Sequence, residues 1–191
     1  MNLRHPMLAP GRLVLVVGGS GVGKDTLLSR ARAVLSGDDR FVFPRRVITR
    51  PADASEEHQS VADAEFDSLR DAGALSLSWL AHGHRYGLPR SLEAEIAAGR
   101  IVVCNVSRTM IVAAREKFAL ITVIAITAPL RVRCERIVHR GREGPEDVAR
   151  RLARTVEDTS IEPGDITIDN GGAIDDAVTA FVSALRSLQG Q

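Results

Sequence analysis

Lysine is nearly missing from this chain. Its 191 residues carry 25 basic side chains, yet only Lys24 and Lys117 are lysines and the rest are arginines. Cysteine is scarce as well: Cys104 and Cys134 are the only two, which excludes a disulfide framework at this size and predicts a reduced, cytoplasmic protein. Aromatic residues make up 4% and the net charge is +1, with 25 basic against 24 acidic side chains. Neither a base-stacking platform nor a broad duplex-binding surface is built from so little, so nucleic acid is not expected as a partner. Long hydrophobic runs are missing too. The longest near-apolar stretch, residues 118–130, contains Thr122 and Thr127 and is too short to span a bilayer. The first six residues, Met1-Asn2-Leu3-Arg4-His5-Pro6, lack the apolar segment of a secretory signal. What remains, 45% apolar and 26% charged residues, is the composition of one ordinary globular domain.

The apolar pattern predicts buried strands over residues 12–17, 101–104, 120–127 and 166–168, with shorter strand pieces at 41–43 and 46–49 and an apolar strand at 74–81. Helices are expected over 23–35, 64–72, 90–98, 129–139, 145–158 and 173–188, with another from a Ser107 cap to about Lys117. Residues 51–60 read as a loop and 83–89 as a turn region. Strands that alternate with helices and are apolar on both faces predict an α/β fold, a parallel sheet flanked by helices. The less regular stretch from 46 to 90 reads as a smaller lobe inserted between sheet strands.

The strongest local signal lies directly after the first strand. Gly18-Gly19-Ser20-Gly21-Val22-Gly23-Lys24 fits G-x-x-x-x-G-K and opens a helix. Glycines let successive backbone N–H groups converge on a phosphate, and the helix N-terminus adds partial positive charge. A chain that otherwise avoids lysine places one here, where a mobile point charge reaches β- and γ-phosphates. The motif expects a hydroxyl next. Here Asp25 stands instead and Thr26 follows. Either the Asp25 carboxylate or the Thr26 hydroxyl can serve magnesium.

Arginines gather in two places. Arg140 and Arg142 lie in a basic turn between two expected helices, and Arg151 and Arg154 share a helix face at i, i+3. Such a segment suits closure over a triphosphate. Arg131 and Arg133, by contrast, read as surface residues in i, i+4 ion pairs. The second group, Arg45-Arg46-Val47-Ile48-Thr49-Arg50, ends a strand where parallel sheets bind ligands, and guanidinium forks suit an acceptor phosphate. His82, His84 and Tyr86 cluster further on; two imidazoles without a third ligand make a poor metal site. Asn105 and Arg108 follow a buried strand, another ligand-facing position.

Taken together these stretches resemble the guanylate-kinase-like group of P-loop kinases, most closely its ribose 1,5-bisphosphate phosphokinase family. The carrying residues are the Gly-Lys-Asp-Thr ending at Thr26, Arg45 to Pro51, Glu57-His58, Trp79 to Gly87, Asn105-x-Ser-Arg108, Arg140 to Glu143 with Arg151 to Arg154, and Ile168-Asp-Asn170-Gly. The resemblance implies a three-layer P-loop NTPase fold in a single domain over 1–191: a core of about 12–45 and 100–188, an acceptor lobe of about 46–90 and an Arg-rich lid of about 139–150. It implies ATP, with magnesium, as donor to ribose 1,5-bisphosphate, giving 5-phosphoribosyl 1-diphosphate (PRPP) in phosphonate metabolism. Gly18 to Thr26 and Asn170 would bind ATP, and Lys24, Arg140, Arg142 and Arg151 would be catalytic. Arg46, Arg50, Glu57, His82, Tyr86, Asn105 and Arg108 would hold the acceptor. Guanylate kinases carry an acid shortly before the Tyr-Gly pair, an Asp where Asn105 stands and a Ser where Asp25 stands. Residues 77–80 here have no carboxylate, so GMP is not the expected acceptor. The rival readings are a guanylate or other nucleoside monophosphate kinase and a non-catalytic phosphopeptide-binding module of the same fold. Oligomeric state stays open, a homodimer included.

Overall fold

The computed structural model describes residues 11–51, 57–139 and 164–189. Nine strands and six helices follow one another among them: β1 (Arg12–Val17), α1 (Lys24–Val34), β2 (Phe41–Val42), β3 (Val47–Ile48), β4 (Gln59–Ser60), α2 (Asp63–Asp71), β5 (Leu75–Ala81), β6 (His84–Pro89), α3 (Ser91–Ala97), β7 (Ile101–Asn105), α4 (Ile111–Lys117), β8 (Ile121–Thr127), α5 (Leu130–His139), β9 (Ile166–Asp169) and α6 (Ile174–Ser187). A five-stranded sheet has the order β2-β7-β1-β8-β9. Its β2–β7 and β8–β9 pairs are parallel. Between β1 and β7 the bonds Arg12 N–H to Arg100 O and Val106 N–H to Val16 O climb both strands together, so these run parallel as well. A second, four-stranded sheet has the order β4-β3-β6-β5.

The chain separates into two compact units. The first takes the described residues of Met1–Val14, Asp38–Cys104 and Val112–Ile121. In it Val47, Val61 and Phe66 form a buried cluster with Leu69 and Leu75 packed on it. Here also lies the chain's other lysine. Lys117 Nζ donates to the Ser76 carbonyl at 2.9 Å and meets Glu93 Oε1 at 2.7 Å, while Ser76 Oγ donates to the same carboxylate at 2.8 Å. The Lys117 hydrogen bond is the main cause that holds the Glu93 carboxyl below its usual range, against the opposing cost of burial. A carboxyl lowered in the folded state stabilises the fold above its ordinary range and loses that contribution as pH falls through the lowered value. Glu93→Gln should therefore cost up to about 1 kcal/mol at pH 7, a drop of about 2–4 °C in Tm. Thermal melts from pH 7 to pH 3 should show the gap to wild type closing at the acid end; a constant gap would refute the assignment.

The second unit takes the described residues of Leu15–Gly37, Asn105–Ile111 and Thr122–Gln191. Leu15, Leu27, Ala31, Ile124, Ile126, Phe181 and Leu185 are among its fully buried apolar side chains. Arg30 on α1 pairs with Asp175 on α6.

Three expectations about local structure need correction. Residues 83–89 are not a turn. Only His82 and Gly83 turn, with φ of 52° and 75°, the two positive angles of a type I′ hairpin loop. His84–Pro89 then pairs antiparallel with β5. Gly87 reads as a breaker in sequence but lies in the strand, where a Cβ would come 2.8 Å from the Leu75 side chain and displace it. Residues 51–60 are not all loop, since Gln59–Ser60 pairs parallel with Val47–Ile48; two exposed residues carry no alternating pattern to read. Ser107 does not cap a helix with its side chain. Its Oγ accepts from Thr109 Oγ1 at 2.9 Å, and Arg108–Met110 form a 3₁₀ turn before α4 begins at Ile111.

Candidate active site

The loop between β1 and α1 carries the densest set of polar contacts in the second unit. Gly23 caps α1 in the left-handed conformation, φ 88° and ψ 22°, which costs a non-glycine residue about 1–2 kcal/mol. A Cβ there would also lie 2.5 Å from Asn170 Nδ2. Gly18 is tighter still: a Cβ would sit 2.4 Å from the Ile126 carbonyl oxygen, which is backbone and cannot give way. Gly23→Ala is expected to weaken ATP binding about tenfold by titration calorimetry, the equivalent of that strain, with the fold retained.

Lys24 folds back over the loop. Its Nζ donates to Gly18 O at 2.7 Å and Gly19 O at 3.2 Å. Ser20 O accepts from Arg133 Nε at 3.0 Å. Val22 O accepts from Asn170 Nδ2 at 2.7 Å and Arg136 Nη1 at 3.4 Å. The carbonyls of Gly18, Gly19, Ser20 and Val22 are thus turned toward cationic or amide donors. In a trans peptide the N–H opposes the carbonyl, so the amides of this stretch are left to face an anion.

Asp25, in the first turn of α1, accepts a 2.6 Å hydrogen bond from the buried Asn105 Nδ2 at the end of β7. The helix N-terminus favours a carboxylate at this place. Thr26 is exposed. Among the described residues no group of three His, Cys, Asp or Glu gathers. A lone carboxylate beside a phosphate loop suits magnesium, which takes one or two carboxylates and fills its remaining positions with water and substrate phosphates. The donor set therefore fits.

The acceptor candidates of the first unit are built on the small sheet. Arg46 lies with its guanidinium carbon 5.3 Å from the centre of the Tyr86 ring, and Tyr86 stacks on Trp79 at 5.5 Å and 10°. Arg50 is anchored through its carbonyl, which accepts from His58 Nε2 at 3.1 Å and Ser60 Oγ at 2.8 Å. Glu57 pairs with Arg45. His82 stands exposed at the hairpin tip. Arg85 donates to Asp67 at 2.6 Å, and this bond is the main cause that holds the Asp67 carboxyl below its usual range. Burial pushes the Cys104 thiol up to about 12, which leaves it inert. Arg108 falls in the second unit with Asn105. Arg140, Arg142, Arg151 and Arg154, the lid over 139–150 and the helix expected over 145–158 lie outside the described residues.

The site also contains residues that sequence reasoning missed. Arg131 does make the expected i, i+4 pair, with Glu135 at 2.9 Å. Arg133 does not: it reaches the phosphate loop, as does Arg136 one turn on. One signal could have found them. Both sit on the helix that directly follows β8, and the carboxyl ends of parallel strands are where ligands bind.

A glycine-rich loop that opens a helix from a parallel sheet, with a lysine folded over its carbonyls, defines a protein of the P-loop NTPase class. Among solved structures the chain is similar to guanylate kinase from Anaplasma phagocytophilum, with a TM-score of 0.70 over 96% of this chain and 88% of that one; at 20% identity this establishes the fold. Among curated proteins it is 48% identical over 178 residues to the ribose 1,5-bisphosphate phosphokinase PhnN of Methylobacterium radiotolerans, covering 93% of this chain and 99% of that protein. The same-named protein of Bradyrhizobium diazoefficiens is 46% identical over 180 residues, 94% of this chain and 90% of its own. No protein-family model matches the chain. The chain belongs to the ribose 1,5-bisphosphate phosphokinase family.

Proposed function

We propose that this protein transfers the γ-phosphoryl group of ATP to the 1-phosphate of ribose 1,5-bisphosphate, giving ADP and 5-phospho-α-D-ribose 1-diphosphate. The observation that carries the reading is identity of 48% along 93% of the chain and 99% of a relative of that name. The attacking group is a phosphate oxygen, already anionic at pH 7, so no strong general base is required. Catalysis is then positioning and charge neutralisation.

The loop amides and Lys24 hold the donor's phosphates. Magnesium, when bound, offsets charge across those phosphates, and Asp25 with Thr26 would hold it. Arg140, Arg142 and Arg151 are assigned to a lid of about 139–150, and Asn170 to the donor side. Arg46, Arg50, Glu57, His82, Tyr86, Asn105 and Arg108 are assigned to the acceptor, most of them within a lobe of about 46–90 of one kinase domain. The absence of any carboxylate from residues 77–80 favours a sugar bisphosphate over GMP. Among the described residues no helix is long and apolar enough to cross a membrane.

Phosphorus NMR of MgATP with ribose 1,5-bisphosphate, run beside MgATP with GMP, tests this. New diphosphate resonances are expected with the sugar alone. Transfer to GMP alone would overturn the acceptor assignment.

A further inference from the structure

Lys24 and Asn170 are already assigned to the donor site, but Arg133 is not. Its Nε donates to Ser20 O at 3.0 Å. Its guanidinium lies against Gly19, where a Cβ would sit 2.8 Å from Nη2. Its backbone closes on Gly21, where a Cβ would sit 2.8 Å from the Arg133 carbonyl oxygen. One residue of α5 thus touches three consecutive loop residues.

Four of the six residues from 18 to 23 are glycines. Glycine has the largest backbone freedom of any residue, so a loop of this composition needs outside restraint to hold one conformation. The restraint must act on peptide planes. No described peptide is cis, so fixing the Ser20 carbonyl toward α5 turns the Gly21 N–H to the opposite side. The Asn170 side chain does the same for the Val22 carbonyl and the Gly23 N–H. An arginine suits the task better than a lysine, because its planar fork donates in a fixed direction.

We propose that Arg133 is a positioning residue of the donor-phosphate site: it orients the Ser20–Gly21 peptide so that the Gly21 N–H is preset for a phosphate oxygen. The proposal rests on the reading of the loop as an ATP site and adds that a residue outside the motif sets the loop's affinity for phosphate. A preset amide needs no reorganisation when the anion arrives, which is where its effect lies.

The test is calorimetric binding of ATP and of AMP to the intact protein, for wild type, Arg133→Ala, Arg133→Gln and Arg133→Lys, with a thermal melt of each. Arg133→Ala should weaken ATP binding about tenfold, the loss of one charge-assisted hydrogen bond. AMP, which lacks the β- and γ-phosphates, should change less than twofold. Arg133→Gln, which keeps a side-chain amide donor, should recover part of the ATP affinity. A folded Arg133→Ala protein with wild-type ATP affinity would overturn the proposal, as would an equal loss for ATP and AMP. If Arg133→Ala does not fold, Arg133→Met, which keeps the aliphatic bulk without a donor, takes its place under the same criteria. Wild-type affinity in Arg133→Lys with none recovered in Arg133→Gln would mean that charge acts rather than a fixed carbonyl, and would also overturn it. A wild-type protein that binds ATP no more tightly than AMP would instead refute the donor-site reading itself.

Discussion

Lys24→Ala lowers kcat by about a thousandfold, the effect of removing one preorganised charge from a phosphoryl-transfer site, and leaves a folded protein. Nζ now bridges Gly18 O and Gly19 O at 2.7 and 3.2 Å, so the ammonium is held beside the phosphates' place by the loop itself. In the transition state charge spreads over the transferred group, and a positive point charge there is worth more than in the ground state. The same contacts add a structural share. Two hydrogen bonds from a charged, half-buried donor contribute about 1–3 kcal/mol, a fall of about 2–10 °C in Tm. Turnover by coupled ADP release, with a melt of the same sample, separates the two shares. A folded Lys24→Ala protein with near-wild-type kcat would refute the catalytic assignment.

Asp25→Ala is the second large loss, about a hundredfold in kcat, with the magnesium concentration for half-maximal rate displaced upward. Where the guanylate-kinase resemblance leads one to expect a hydroxyl after the lysine and an acid on β7, this chain has Asp25 and Asn105. The structure joins them: Asn105 Nδ2 donates to Asp25 Oδ1 at 2.6 Å. The pair thus contains one carboxylate and one amide. Asn105→Asp should therefore be harmful by itself, because two carboxylates at hydrogen-bond distance cannot both stay ionised. The double variant Asp25→Ser/Asn105→Asp, with one hydroxyl and one acid again, should be more active than Asn105→Asp. A cycle over the four proteins measures the coupling. Additive effects would show that the pair does not act as a unit. Unchanged magnesium dependence in Asp25→Ala would refute a role toward the metal.

The phosphate loop was legible in sequence because its chemistry is local. Glycine spacing, a following helix and one lysine in a lysine-poor chain are all contained in residues 18–26. β1, β7 and β8 of the large sheet were legible for a similar reason, since strands buried on both faces read as continuous apolar runs. β6 was hidden because Gly87 and Pro89 look like turn residues. Gly87 packs closely under the Leu75 side chain across the hairpin, and Pro89 sits at the strand's last pair, where a missing N–H is tolerated.

By itself the sequence determined the α/β class, the glycine-rich loop that opens the first helix and a stretch 77–80 without a carboxylate. Tertiary structure alone decided which side chains hold that loop. Asp25 and Asn105 are 80 residues apart, Ser20 and Arg133 113, and Val22 and Asn170 148. These contacts follow from the strand order β7-β1-β8-β9, which sets the ends of β7, β8 and β9 in a row beside the loop that leaves β1. Periodicity reports which face of an element is buried. It does not report which carbonyl a long arginine on the next element will reach, and for that reason Arg133 read as surface in the sequence and holds the glycine-rich loop in the fold.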